Sequence, residues 1–275
     1  MGGLHYAGFQ TDFDTATLQP VGTLTFLLHG IWYSGTILAI LGCHEMGHYL
    51  ACRYYDVDAS LPFFLPLPPP LPSGTLGSFI RIRELIPSKR MLFDIGIAGP
   101  LAGFLVAVPT LFLGLSMSRL TRLPTDDLSG FVSLGEPLLF KAAAWVFWGS
   151  PPDGYSINLH PMAFGAWFGL LATALNLIPI GQLDGGHISY AVLGRRSSEV
   201  TLAMIGVALI LAYTSASWIV WTVLMIGMLL VFGRHHPRTF DEHEPLDRTR
   251  LALAVVALII LIVCFTPVPI ELIQP

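Results

Sequence analysis

Residues 37–55 read ILAILGCHEMGHYLACRYY. The run holds no proline, and Arg53 is its first charge after Glu45, so it is a long apolar helix that carries His44, Glu45 and His48 inside it. Histidines at i and i+4 lie on one helix face, and both imidazoles can reach one metal ion. Glu45 is offset by about 100° around the helix. It therefore lies beside such an ion without ligating it. Chance gives fewer than about 0.01 HExxH matches in a chain of this composition. Two histidines and an unpaired carboxylate are also costly in an apolar helix and mark function there.

The rest of the chain sets that helix in a membrane. Of its 275 residues, 53% are hydrophobic and 12% charged, against about 25% charged in soluble domains. The mean hydropathy is +0.67. Too little charge is present to cover a water-facing surface. The net charge of −4 leaves no basic footprint for nucleic acid. Three cysteines make no disulfide framework. Charge-free stretches fall at Thr15–Cys43, Ile95–Ser118, Gly154–Leu183, Val200–Gly233 and Leu251–Ile270. Each is long enough to span about 30 Å of hydrocarbon. Val200–Gly233 exceeds one span and is interrupted by TSAS at 214–217, which predicts a tight pair of short helices.

Charge bias supports that pair. With six crossings and the N-terminus outside, the inside holds Arg53, Arg81, Arg83, Lys89, Arg90, Arg195, Arg196, Arg234, Arg238, Arg248 and Arg250, and the outside Arg119, Arg122 and Lys141, or 11 against 3. A single crossing of Val200–Gly233 would give 7 against 7. Leu138–Trp148 is too short to span and reads as an interfacial helix.

Two segments near the motif are not helical. Leu61–Pro72 is apolar, but its prolines lack amide donors, so it lies at an interface or lines a cavity. Gly74–Arg83 (GTLGSFIRIR) alternates like a short strand. Gly74, Gly77 and Ser78 of this strand are the expected contacts to an unwound substrate segment, by strand addition. A structural hairpin is the plainer alternative.

A catalytic zinc takes three protein ligands and keeps one open position. Asp184 in NLIPIGQLDGGH (residues 176–187) is the candidate third ligand, because Pro179, Gly181, Gly185 and Gly186 break the span there. The alternative is that Asp184 caps a helix. HEMGH, followed by LGSFIRIRELIPSKRMLFDIGIAGPLAG and NLIPIGQLDGGH, resembles the site-2 protease family of intramembrane zinc metallopeptidases. The resemblance covers most of residues 30–190. It implies one catalytic Zn²⁺ held by His44, His48 and Asp184, Glu45 as general base, and Asn176 near the zinc and the scissile carbonyl. It also implies regulated intramembrane proteolysis, for example release of a membrane-tethered regulator.

The expected fold is therefore an all-α polytopic membrane protein of about six transmembrane helices, with a small membrane-associated hairpin near the site. Residues 1–20 form a polar N-terminal tail, 21–190 the catalytic membrane core and 191–275 C-terminal transmembrane helices. The expected partners are the bilayer and a membrane protein with a transmembrane helix, not nucleic acid. The expected location is a prokaryotic cell membrane, with the site toward the cytoplasm. A metal or proton transporter using the same residues is the rival, and a non-catalytic membrane chaperone a second. Cys43 and Cys52 read as small packing residues, His187 as a helix-end polar contact, and His29 as a buried one. His235, His236 and His243 read as a solvated loop, Gly99 and Gly103 as a helix-packing GxxxG, and Asp94 as an interfacial N-terminal charge.

Overall fold

The computed structural model describes residues 4–6, 11–12, 19–20, 22–66, 75–122, 132–233, 239–241 and 244–272. Three short strands, β1 (Leu4–Tyr6), β2 (Thr11–Asp12) and β3 (Gln19–Pro20), precede the first helix. Helix α1 (Thr23–Tyr54) is continuous for 32 residues and carries the HExxH run in its C-terminal half. It begins later than the charge-free stretch from Thr15, because Pro20 closes β3 ahead of it. It stops where Asp56 takes a φ of 56°.

The apolar proline segment after α1 forms a hairpin. β4 (Phe63–Pro66) pairs antiparallel with β5 (Thr75–Phe79) in the register Phe63↔Phe79, Phe64↔Ser78, Leu65↔Gly77. Residues 67–74 of the expected segment, Gly74 included, lie outside the described residues. Helix α2 (Lys89–Ser116) then starts at Ser88, whose Oγ accepts from the Arg90 amide at 3.2 Å.

The return toward the opposite end of the bundle brings strands that the sequence did not announce. β6 (Arg119–Arg122), β7 (Val132–Leu134), β8 (Tyr155–Asn158) and β9 (Ile270–Leu272) join β1 in a five-stranded sheet of order β6-β8-β1-β7-β9. The expectation of a hairpin alone is corrected by this sheet. Its strands are three or four residues long and pair across the whole chain, as in Leu4↔Leu134 and Val132↔Leu272. Between them lies the short helix α3 (Leu138–Trp148) at the expected position.

Helix α4 (Pro161–Leu177) starts on a proline, whose missing amide costs nothing at that position. After a break, α5 (Asp184–Leu193) runs through one 3-10 turn into α6 (Ser197–Thr214). The TSAS stretch separates α6 from α7 (Ser217–Phe232), as its composition predicts. Helix α8 (Arg248–Cys264) ends short of Ile270, because Pro267 and Pro269 deflect the chain into β9.

Among the described residues, three stretches are long and apolar enough to cross a membrane: Leu27–Tyr54, Lys89–Ser116 and Asp184–Thr214. Helices α4, α7 and α8, of 16 or 17 residues, fall short of the roughly 20 needed for an upright crossing. The core lies where α1, α2 and α4 meet, with Ile40, Phe93, Leu111, Trp167 and Leu170 fully enclosed. The outer faces carry Leu24, Ile31, Leu105, Ile210 and Leu230, all exposed. So extended an apolar exterior belongs to a membrane protein.

One polar network ties the ends of α1, α2 and α8 together. Arg250 Nε donates to Asp94 Oδ1 at 2.9 Å, and the Tyr55 hydroxyl donates to the same carboxylate. Asp247 caps α8, accepting from the Arg250 amide at 2.9 Å. Asp94 is thus an ion-pair partner and not merely a charge at a helix start. Nearby, Asp241 accepts from the Ser88 hydroxyl and the Lys89 amide, both at 2.8 Å, so this part of the loop after α7 docks on the start of α2.

Candidate metal centre

The site is built where three helix segments converge. On α1, His44 and His48 stand one turn apart on the face that meets α2, and their Nε2 atoms approach to 3.2 Å. Both are buried, at 3% and 6% exposure, and Glu45 between them is at 7%.

The break after α4 delivers Asp184. Helix α4 stops at Leu177, and the chain turns through Ile178–Leu183 before α5 begins on Asp184 itself. The turn is so tight that a methyl on Gly185 would overlap the carbonyl of Leu177. Only glycine fits that approach. Asp184 Oδ2 lies 3.1 Å from His44 Nε2, and its Oδ1 lies 3.2 Å from His48 Nε2. One ligand atom from each of the three residues falls within 4.8 Å of the others.

Helix α2 closes the back of the site. The ring of His48 packs directly on Gly99, and the Cβ of His44 lies against Gly103. The GxxxG spacing therefore makes room for the two imidazoles as well as for the helix. His48 Nδ1 donates to the carbonyl of Ile95 at 2.7 Å. A carbonyl only accepts, so the proton of a neutral His48 sits on Nδ1 and the Nε2 lone pair faces the cluster.

This donor set fits a tetrahedral zinc ion. Bonds of about 2.0–2.1 Å place tetrahedral ligand atoms roughly 3.3–3.4 Å apart; the two Nε2 atoms lie 3.2 Å apart, and each has one of the two Asp184 oxygens at 3.1 or 3.2 Å. Glu45 Oε1 lies 3.9 Å from His44 Nε2, beside the cluster and outside it. Asn176, near the end of α4, brings its Nδ2 to 3.4 Å from the same nitrogen. His44, Glu45, His48, Asn176 and Asp184, named from sequence, thus share one site.

Other named residues lie elsewhere. Cys52 is fully buried in a small satellite cluster with Val57 and Ile95. His235, His236 and His243 fall outside the described residues. Two features of the site had no sequence signal. The Ile95 carbonyl is a backbone group, and the Ser78 hydroxyl donates from β5 to the Leu41 carbonyl at 3.1 Å, one turn before Glu45 on α1.

The family model described as Peptidase family M50 matches residues 32–213. The chain belongs to peptidase family M50. The M50 match takes in α1 from Trp32, the hairpin, α2, α4, α5 and nearly all of α6, and so includes every residue of the site. The resemblance to site-2 proteases is borne out. The relatives of this M50 protein include plant proteins. "Probable zinc metalloprotease EGY2, chloroplastic" of Oryza sativa subsp. indica is 30% identical over 253 residues, covering 90% of this chain and 44% of the relative. The Arabidopsis thaliana protein of the same name is 29% identical over 211 residues, 74% of this chain and 36% of the relative. "Probable zinc metalloprotease EGY1, chloroplastic" of Arabidopsis thaliana is 26% identical over 245 residues, 84% and 42%. The chain spans less than half the length of these relatives.

Proposed function

We propose that the protein is a zinc endopeptidase that hydrolyses peptide bonds in or near transmembrane segments of other membrane proteins. The observation that carries this is the burial of His44, Glu45 and His48 inside a helix long and apolar enough to cross a membrane, with Asp184 at the same point. His48 precedes the end of α1 by six residues, about 9 Å of helical rise. The site is then within the membrane but close to one face. Family membership and the relatives' names support zinc as the metal.

His44, His48 and Asp184 would hold the ion. Zinc, when bound, supplies a Lewis acid that brings the pKa of a coordinated water toward about 7 and polarises a carbonyl. Glu45 takes a proton from the attacking water and returns it to the leaving amine. Asn176 turns its amide toward the same space and donates to the oxygen of the scissile carbonyl. Ile95 keeps His48 in the tautomer that ligates.

The chain crosses the membrane six times in this account, through α1, α2, α4, α5–α6, α7 and α8, with tilt or local thinning serving the shorter helices. The end bearing Arg53, Arg81, Arg83, Lys89 and Arg90 faces the cytoplasm, and the five-stranded sheet lies on the outer side. A substrate helix must unwind before its carbonyls are open to attack, and unpaired amides in lipid cost several kcal/mol each. The edge of β5 away from β4 offers a partner for the unwound segment, near Gly77 and Ser78.

The test uses protein purified in detergent, one defined transmembrane substrate, and a chelator followed by added zinc. Cleavage that the chelator stops and zinc restores is expected. Zinc flux into proteoliposomes with no cleavage would favour a transporter instead.

A further inference from the structure

The Ile95 carbonyl that aims His48 is only as well placed as the helix that carries it. Helices α1 and α2 meet along a seam of small residues. A methyl on Gly47 would overlap the Ala98 carbonyl, and the His48 ring lies against Gly99. Such a seam lets two backbones close up, but it offers no large side chain to stop one helix sliding along the other. One residue of helix rises about 1.5 Å. The 2.7 Å bond from His48 to Ile95 survives only about half an ångström of stretch.

The offset between the helices is fixed one residue before Ile95. The Asp94 carboxylate receives a two-pronged pair from Arg250 of α8, in which Nε donates to Oδ1 at 2.9 Å and Nη2 donates to Oδ2. Such a fork carries direction as well as charge. The Tyr55 hydroxyl, just past the end of α1, donates to Oδ2 as well. Tyr55 follows His48 by seven residues, about 20° short of two full turns, so both leave α1 on the stripe that faces α2. Arg250 is itself held. Its Nη1 donates to Asp247, the N-cap of α8, whose Oδ1 accepts the Arg250 amide at 2.9 Å. The Ile95 side chain is buried with Cys52 and Val57, against the same end of α1.

We propose that Arg250, acting through Asp94, is a positioning residue for the metal site, and that with Tyr55 it fixes α2 against α1 at the height where the Ile95 carbonyl meets His48. Arg250 stands outside the three-residue cluster, and α8 lies beyond residues 32–213 that match the family. The proposal rests on zinc binding by His44, His48 and Asp184. Without the pair, α2 slides, the His48 Nδ1 proton loses its acceptor, and the ring is free to turn Nε2 away from the other two ligands.

The experiment has two arms, both on full-length protein in detergent. In competition with a chromophoric chelator, Arg250→Ala weakens zinc binding by about tenfold and Tyr55→Phe by about threefold, at or below the loss expected for the direct partner of a ligating histidine. Trp218→Phe is the control. It deletes the Nε1 bond to the Pro267 carbonyl, away from the network, so it lowers the unfolding midpoint and leaves zinc affinity at the wild-type value. In metal-free protein labelled with ¹⁵N-histidine, the His48 Nδ1 proton exchanges with solvent about tenfold faster in Arg250→Ala than in wild type. Tyr55→Phe, which removes a single hydroxyl, carries both arms should Arg250→Ala not fold. Unchanged exchange in the network variants would overturn the proposal. So would an equal loss of zinc affinity in Trp218→Phe, which would make the effect a general loosening. If wild type binds no zinc, the metal reading fails instead, and the exchange arm decides the positioning role alone.

Discussion

Gly99→Ala removes no ligand atom, yet it should loosen the metal. A methyl at Gly99 would occupy the space of the His48 imidazole. The ring has nowhere to go. It is 6% exposed, and its Nδ1 is held by the Ile95 carbonyl at 2.7 Å. Relief comes only by swinging His48 off Ile95 and away from Asp184, or by parting α1 from α2. Metal geometry tolerates errors of about 0.2 Å. Losing the outer partner of a ligating histidine alone costs about 10–100-fold in affinity, or about 1.4–2.8 kcal/mol. Gly99→Ala should lose at least that. Gly103→Ala is the graded companion. Its Cβ would lie 3.1 Å from His44 Cβ and 3.4 Å from Nδ1, which a shift of a few tenths of an ångström relieves. A loss below about tenfold is expected there. Gly206→Ala, with nothing within 4 Å, is the control and should bind zinc as wild type does. Competition against a chromophoric zinc chelator in detergent measures all three, with thermal unfolding of the metal-free proteins alongside. Wild-type zinc affinity in a folded Gly99→Ala protein would refute the packing argument.

Asp184→Ala leaves two histidines, which hold zinc poorly. Substoichiometric zinc is expected on metal analysis, and full occupancy would place the third ligand elsewhere. Arg250→Ala strands Asp94, whose side chain is 24% exposed, and should cost about 2–3 kcal/mol. The unfolding midpoint should fall by about 4–12 °C, and an unchanged midpoint would remove the network from the account of stability. A cysteine at the exposed Glu84 should react with an impermeant thiol reagent only after the membrane is opened, and one at the exposed Ser150 in intact cells. The reverse pattern would invert the topology.

The residues of the site were legible because each left a local mark. HExxH spacing predicts the shared helix face, and the Pro-Gly run before Asp184 predicts the break that delivers it. The prolines of Leu61–Pro72 exclude a helix, and TSAS at 214–217 is where α6 and α7 part. The five-stranded sheet left no such mark, because strands of three or four residues are too short to show a period. Leu4 meets both Leu134 and Ile157, and neither contact is encoded near any of the three. Asp94 and Arg250 are 156 positions apart, so sequence could read them only as separate surface charges. The Ile95 carbonyl is a backbone group, which no residue-type pattern identifies. Ser78 was noticed for its strand, while its bond to the Leu41 carbonyl depends on how the hairpin docks against α1.

The most direct test compares wild type with Glu45→Gln on one transmembrane substrate, with zinc content measured on the same samples. Both proteins should carry one equivalent of zinc, because Glu45 lies outside the three-residue cluster. Wild type should cut within or beside the transmembrane segment, as mapped by mass spectrometry, and Glu45→Gln should leave the substrate intact. Cleavage by Glu45→Gln within a few-fold of wild type, at full zinc, would contradict the account.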